Sequence, residues 1–433
     1  MMKQSWKELR PFFLLWSTQS LSQLGSAMTS FALTLWLYQE TGSALQTALL
    51  SVCSYAPYVC VSIFAGALSD RWDKKRVMLA CDTFAACCTV AVLALLRGGL
   101  LAPWQLYALN ALNGLMGSIQ QPAGDVAMTL LIPPERYQQT SGLRSFSNAL
   151  VTILNPVLAT ALYTLAGMES VILFDLAAFA AAFCTLLFGI RLPELPRREE
   201  RESFLSSVRA GLAYLREHGL ILALMLFLAA VNLVASAFDA VLPALILPRA
   251  NGGETVLGMV TSCAGIATLL GSVLAAALPA PKDRVRVIVL TMLFSLGTEN
   301  YLLAFARTPF WWCLAQLIGW ILVPLMNANL DVILRSTIPV ELQGRVYACR
   351  NTLQFFTIPI GFLCGGWLVD GVCEPLMEAA VPDGLLTALF GSGKGSGAAL
   401  TMLMLGVAGT LVCLLFGRIL RSYRYTEQGR GGK

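Results

Sequence analysis

Twelve long apolar stretches, separated by short polar connectors, follow one another from Phe12 to Arg418. They lie at about 12–38, 44–69, 77–97, 102–130, 141–167, 170–190, 219–247, 255–279, 286–306, 309–333, 344–369 and 397–418. About 20 apolar residues are enough to cross the hydrocarbon of a bilayer as a helix. Strands of a membrane barrel are far shorter and alternate apolar with polar residues, so uninterrupted stretches of this length predict helices. Composition agrees. The chain of 433 residues is 57% hydrophobic and only 13% charged, against roughly 25% charged in soluble proteins. No stretch is left over for a separate soluble catalytic domain. Lys3, Lys7 and Arg10 stand before an apolar run, as in a signal peptide, but the run from Phe12 to Tyr38 is too long for one. A retained first span is expected.

Charge orients the spans. With the N-terminus inside, all but four of the 30 lysines and arginines fall on inner segments, the four being Arg97, Arg249, Arg307 and Lys394. That bias places both termini in the cytoplasm. The composition shifts at Arg191–His218, where Arg-Leu-Pro-Glu-Leu-Pro leads into mixed charge and the amphipathic Phe204–Leu215. The predicted organisation is a six-helix half at 1–190, a cytoplasmic linker with a short interfacial helix at 191–218, a second six-helix half at 219–420 and a cytoplasmic tail at 421–433.

Several chemistries drop out. Eleven of the twelve cysteines sit inside apolar runs and read as packing residues, and the single histidine, His218, excludes a multi-histidine metal site. Gly391-Ser-Gly-Lys-Gly-Ser-Gly397 is not a phosphate loop, because Ala388 stands at the required first glycine and Gly395 at the Ser/Thr position. No Gly-x-Ser-x-Gly elbow or His-Glu-x-x-His helix is present.

The two halves repeat each other. Asp125-Val126, Ile132-Pro133 and Glu135 return 206 residues later as Asp331-Val332, Ile338-Pro339 and Glu341. Asn148 and Pro156 pair with Asn351 and Pro359, and Ser26-Ala27 and Gly42 with Ser236-Ala237 and Gly252. Repeats of this kind place a substrate site near the bilayer midplane.

Between the second and third spans runs Gly66-Ala67-Leu68-Ser69-Asp70-Arg71-Trp72-Asp73-Lys74-Lys75-Arg76. Gly66 lets another helix approach, Asp70 suits a helix N-terminus, and the cations after it can pair with carboxylates elsewhere. This order resembles the signature loop of the major facilitator superfamily. Gln23-Leu-Gly-Ser-Ala-Met-Thr29, Asp70-Arg-Trp-Asp-Lys-Lys-Arg76 and Pro133-Pro134-Glu135 resemble most the macrolide-efflux type of drug exporter and its siderophore-exporting relatives. The wider superfamily has glycine where Asp73 stands and arginine where Lys74 stands. Its drug antiporters often carry Gly-Pro in span five, where this chain reads Asn155-Pro156; Pro359-Ile360-Gly361 and Gly365-Gly366 lie in span eleven.

The resemblance implies an all-α integral membrane protein of twelve transmembrane helices in two pseudo-symmetric halves. It implies an inner gate formed by Gly66, Asp70, Arg71, Lys74, Lys75 and Arg76 with Asp125, Asp331, Arg144 and Arg350. A charge at mid-bilayer costs at least ~2.5 kcal/mol on insertion scales, so carboxylates inside spans are functional candidates. Asp239 in span seven leads as the proton-coupling group, followed by Glu299 in span nine. Asp82 is open to two readings, pairing with the basic loop or coupling, and Asp175 reads as structural. Gln19, Gln23, Met28 and Phe31 in span one and Trp320, Met326 and Asn327 in span ten are the expected substrate-binding residues.

The implied function is export of amphipathic, macrolide-like drugs by proton antiport through a bacterial cytoplasmic membrane, or of a siderophore or another endogenous metabolite on the same fold. No cofactor is expected beyond the proton gradient as energy source, and no metal. The expected partners are the lipid bilayer, protons and a small amphipathic substrate, with no nucleic acid, for a monomer that is not an enzyme.

Overall fold

The computed structural model describes residues 2–69, 73–132, 137–190, 192, 213–339, 346, 350, 352–382 and 384–423. Within these, the side chains of 2–9, 62–69, 137–142, 144 and 145 stand outside the description. Every regular element among the described residues is helical, as a chain in lipid requires when each backbone N–H and C=O must find its partner within the segment.

In order, the long helices are α1 (Met2–Thr41), α2 (Ala44–Ser69), α3 (Lys74–Arg97), α4 (Pro103–Leu130), α5 (Tyr137–Cys184), α6 (Gly219–Ile246), α7 (Glu254–Ala277) and α8 (Arg284–Phe305). Then come α9 (Pro309–Trp320), α10 (Val323–Thr337), α11 (Thr357–Leu368), the short α12 (Glu374–Glu378) and α13 (Leu385–Phe390), and α14 (Ser396–Arg421). Nine stretches among the described residues are long and apolar enough to cross a membrane. One of them, Phe146–Gly189, is 44 residues long. It is broken at Gly167, whose φ of 79° and ψ of 172° end one helical run and start another. A residue with a Cβ would be strained there.

Helix starts follow local chemistry. Asp73 caps α3 by accepting from the Arg76 amide at 2.7 Å, and Asp283 caps α8 by accepting from the Arg286 amide at 2.9 Å. Each cap satisfies one of the orphan donors of a helix N-terminus. The two acids stand 210 residues apart, the offset of the Ser26/Ser236 repeat.

The chain forms two compact units. Unit 1 holds Met1–Glu40 and Cys53–Arg201; unit 2 holds Thr41–Val52 and Glu202–Lys433. In unit 1, α3 packs on α4 and α5. Phe12 and Leu15 of α1, Met78 of α3, Ala123 and Ala127 of α4 and Leu186 beyond α5 share one buried cluster. In unit 2, α14 packs along α8 and α6, α11 packs along α6, and α9 joins α7 to α8. The linker helix is described only over 213–217, where the Tyr214 hydroxyl donates to the Thr337 carbonyl at 2.9 Å and its ring stacks on His218.

Apolar residues also face outward. On α14, Val407, Leu411, Leu414 and Leu415 are exposed while Met402, Leu405 and Cys413 are buried. A helix apolar on both faces belongs in lipid rather than on a water-facing surface.

The glycines of α11 allow its close approach to α6. A Cβ on Gly361 would overlap the Leu233 carbonyl and the Ser236 hydroxyl, and one on Gly365 would lie 2.9 Å from Ala237 Cα. Small residues at such crossings are how membrane helices gain packing without a hydrophobic drive. Gly365→Leu is therefore expected to destabilise unit 2 by roughly 1–3 kcal/mol, read as a lower thermal midpoint in detergent. An unchanged midpoint would contradict this packing.

Candidate functional site

Within unit 1, α1, α3, α4 and both runs of α5 line a cavity of about 510 Å³. A second cavity of about 230 Å³ adjoins it, sharing Ser26, Gln120 and Asp175 among its walls. Asp82 of α3 is 7% exposed and Asp175 of α5 is 4% exposed, and both line the larger cavity. Gln120 donates its amide to Asp82 Oδ1, and the side chain of Gln19 stands against the same carboxylate. Ser26 donates to Asp175 Oδ1 at 3.0 Å. Gly25 makes that approach possible, because a Cβ there would lie 2.9 Å from Asp175 Cα. Asp125 of α4 adds a third carboxylate to the lining. Helices α1 and α4 are absent from the nine most apolar stretches. Their amides and hydroxyls, among them Gln19, Gln23, Ser26, Gln120 and Gln121, are the ones that face this cavity.

Unit 2 holds Asp239 and Glu299, the two carboxylates that lead the sequence reading as coupling candidates. Glu299 of α8 is 5% exposed, and its Oε1 accepts from Trp320 Nε1 at 3.1 Å. Gly319 leaves room for that carboxylate, which a Cβ would overlap. Asp239 of α6 is exposed and lies close enough to act electrostatically on Glu299.

Asp70 and Arg71 lie outside the described residues, as do the surroundings of Gly66 in α2 and the side chain of Arg144 in α5. Lys75 donates to the Leu187 and Ile190 carbonyls at 3.0 and 2.6 Å, a cation on the orphan carbonyls at a helix C-terminus. Lys74 is buried and Arg76 exposed. Asp331 stands exposed on α10, and Arg350 donates to Gln354 Oε1 at 3.2 Å.

Of the expected substrate residues, Gln19 and Gln23 line the unit 1 cavity. Met28 is buried at 2% exposure and Phe31 is half-buried. In unit 2, Trp320 is committed to Glu299, Met326 is buried and Asn327 exposed.

Two carboxylates escaped the sequence reading. Asp370, in a π-helical turn after α11, accepts from the Ser43 hydroxyl at 2.5 Å and from the Ala44 and Leu45 amides at 3.1 and 2.8 Å. It thus caps the N-terminus of α2, whose first residues belong to unit 2. One turn on, Glu374 accepts from the Gly395 amide at 2.8 Å, at the start of α14. The glycine-rich loop, with left-handed Gly391, Gly393 and Gly395, delivers that amide to an internal carboxylate. Neither pairing has a local signal: Asp370 and Ser43 are 327 residues apart.

The family profile of the Major Facilitator Superfamily matches residues 15–250. The chain belongs to this superfamily. It is a transporter of the multi-pass type that resides in the bacterial cell membrane. This facilitator is 23% identical to Macrolide efflux protein A of Streptococcus pyogenes over 367 residues, covering 83% of this chain and 90% of that protein. It is 24% identical to the multidrug efflux pump Tap of Mycolicibacterium fortuitum, covering 84% and 90%. Among solved structures, a POT-family peptide transporter superposes with a TM-score of 0.74 at 13% identity, covering 98% of this chain and 99% of that one. A bacterial homologue of ferroportin superposes at 0.68 and 16% identity, covering 95% and 99%. Those likenesses establish the fold.

Replacing Asp370 by Ala removes the acceptors for one hydroxyl and two amides, and is expected to cost about 0.5–2 kcal/mol. The thermal midpoint in detergent should fall by a few degrees, with Asp370→Asn in between because one acceptor oxygen survives. Equal midpoints for all three proteins would show that the cap contributes nothing.

Proposed function

We propose that this facilitator exports amphipathic drugs of the macrolide kind by proton antiport, in alternating access. The observation that carries the reading is likeness over more than four-fifths of the chain to proteins named for macrolide and multidrug efflux. The topology proposed with it has twelve crossings and both termini in the cytoplasm. Nine apolar stretches, one of them double-length and broken at Gly167, support that topology together with α1 and α4. So does the strong bias of lysine and arginine toward the segments that this topology places inside.

Asp239 and Glu299 are the proposed coupling pair. Two acids within electrostatic reach resist holding two charges at once, so proton binding at one responds to the other. Trp320 steadies Glu299 with a neutral donor and leaves its charge uncompensated. One proton driven by ~150 mV delivers about 3.5 kcal/mol, enough for a gradient of a few hundred-fold. Small partners are proposed: the substrate, protons and lipid, for a protein acting as a monomer.

Accumulation of radiolabelled macrolide in efflux-deficient cells tests the reading. Cells expressing the chain should hold several-fold less drug, a protonophore should restore the level, and Asp239→Asn should abolish the difference. Unchanged accumulation, with the protein present in the membrane, would overturn the macrolide assignment and turn attention to siderophores and other metabolites.

A further inference from the structure

The tenth apolar segment is broken. Helix α9 stops at Trp320 and α10 starts at Val323, where Pro324 has no N–H to give to the Trp320 carbonyl four residues back. Helix α7 packs along α9 and meets the break at Gly271. A Cβ there would overlap the Ile321 carbonyl and lie 3.2 Å from Pro324 Cδ. Eight residues before each member of that contact stand Cys263 of α7 and Cys313 of α9. The two pairs share one offset in the chain, 50 residues, so α7 and α9 run side by side in the same direction and in register. The thiols of Cys263 and Cys313 are hydrogen-bonded to each other, and both residues are half-buried. They belong neither to the coupling acids nor to the walls of the unit 1 cavities.

We infer that Cys263 and Cys313 are a modification site for a lipophilic disulfide, which closes them into a cross-link that staples α9 to α7 and stiffens the break at Ile321-Leu322. One thiol attacks a sulfur of the reagent, whose other half leaves as a thiol. The neighbouring thiol then attacks the mixed disulfide and expels the second half. The protein gives up two hydrogens and two electrons, and the reagent disulfide that receives them is the oxidant. Sulfurs already in contact on packed helices need little backbone movement to reach bonding distance. Through α9 the staple also bears on Trp320, the donor to Glu299. The site lies wholly in unit 2 and does not rest on the export reading.

Treatment of the purified full chain in detergent with 2,2′-dipyridyl disulfide tests it, read by mass spectrometry of tryptic peptides. Residues 250–282 and 308–335 each carry one of the two cysteines and no other. These peptides are expected joined, with no pyridyl group left on either, and dithiothreitol should separate them. Cys263→Ser should leave Cys313 carrying a pyridyl group. Cys364→Ser, which removes an exposed thiol of α11, should leave the link intact. Amide hydrogen exchange from Ile318 to Met326 reads the stiffening. It should slow at least about threefold on oxidation of the unsubstituted chain and of Cys364→Ser, and stay unchanged in Cys263→Ser.

Peptides that keep a pyridyl group each, that stay unreacted, or that join only between two chains would overturn the site. A link within one chain that leaves exchange at the break unchanged would overturn the stapling. Should Cys263→Ser fail to fold, Cys313→Ser and the reversal of both readouts by dithiothreitol decide in its place.

Discussion

The structure depends on one constraint: in hydrocarbon, each polar group must be satisfied from within the protein. Backbone groups meet it by forming helices. Acidic side chains meet it in two separate ways, and the division between them organises the molecule. At helix starts, Asp73, Asp283, Asp370 and Glu374 receive backbone amides, where the helix dipole adds to the hydrogen bond. These acids are used up in building the fold.

Inside the helical bundles the arrangement is different. Asp82, Asp175 and Glu299 are each held by a neutral side-chain donor: Gln120, Ser26 and Trp320. A neutral donor fixes the direction of a carboxylate without cancelling its charge. Glycine takes part in two of these sites, since Gly25 and Gly319 admit Asp175 and Glu299 where any Cβ would collide.

Much of this was legible beforehand. The second segment, read as 44–69, is α2 to the residue, and the fourth, read as 102–130, is α4 within one residue. The third starts earlier than its apolar run because Asp73 caps it through a polar first turn. Between the eleventh and twelfth apolar segments lie α12 and α13, whose few residues carry too weak a period to stand out in the sequence. The signature loop was visible as a motif, yet Lys75 binds carbonyls at the end of the sixth apolar segment, a role its spacing does not reveal.

The sequence by itself determined the membrane class, the helical segments and the family likeness, because hydropathy and local motifs are properties of neighbouring residues. Only the tertiary structure decided which acids serve as caps and which face a cavity. Asp175 shows why. Read alone, it was a structural residue near a span end. Its place in the cavity comes from Ser26, 149 residues away, and from Gly25, which permits the approach. Contacts across such separations leave no periodicity in the chain, and the charge environment of a buried acid is set by those contacts.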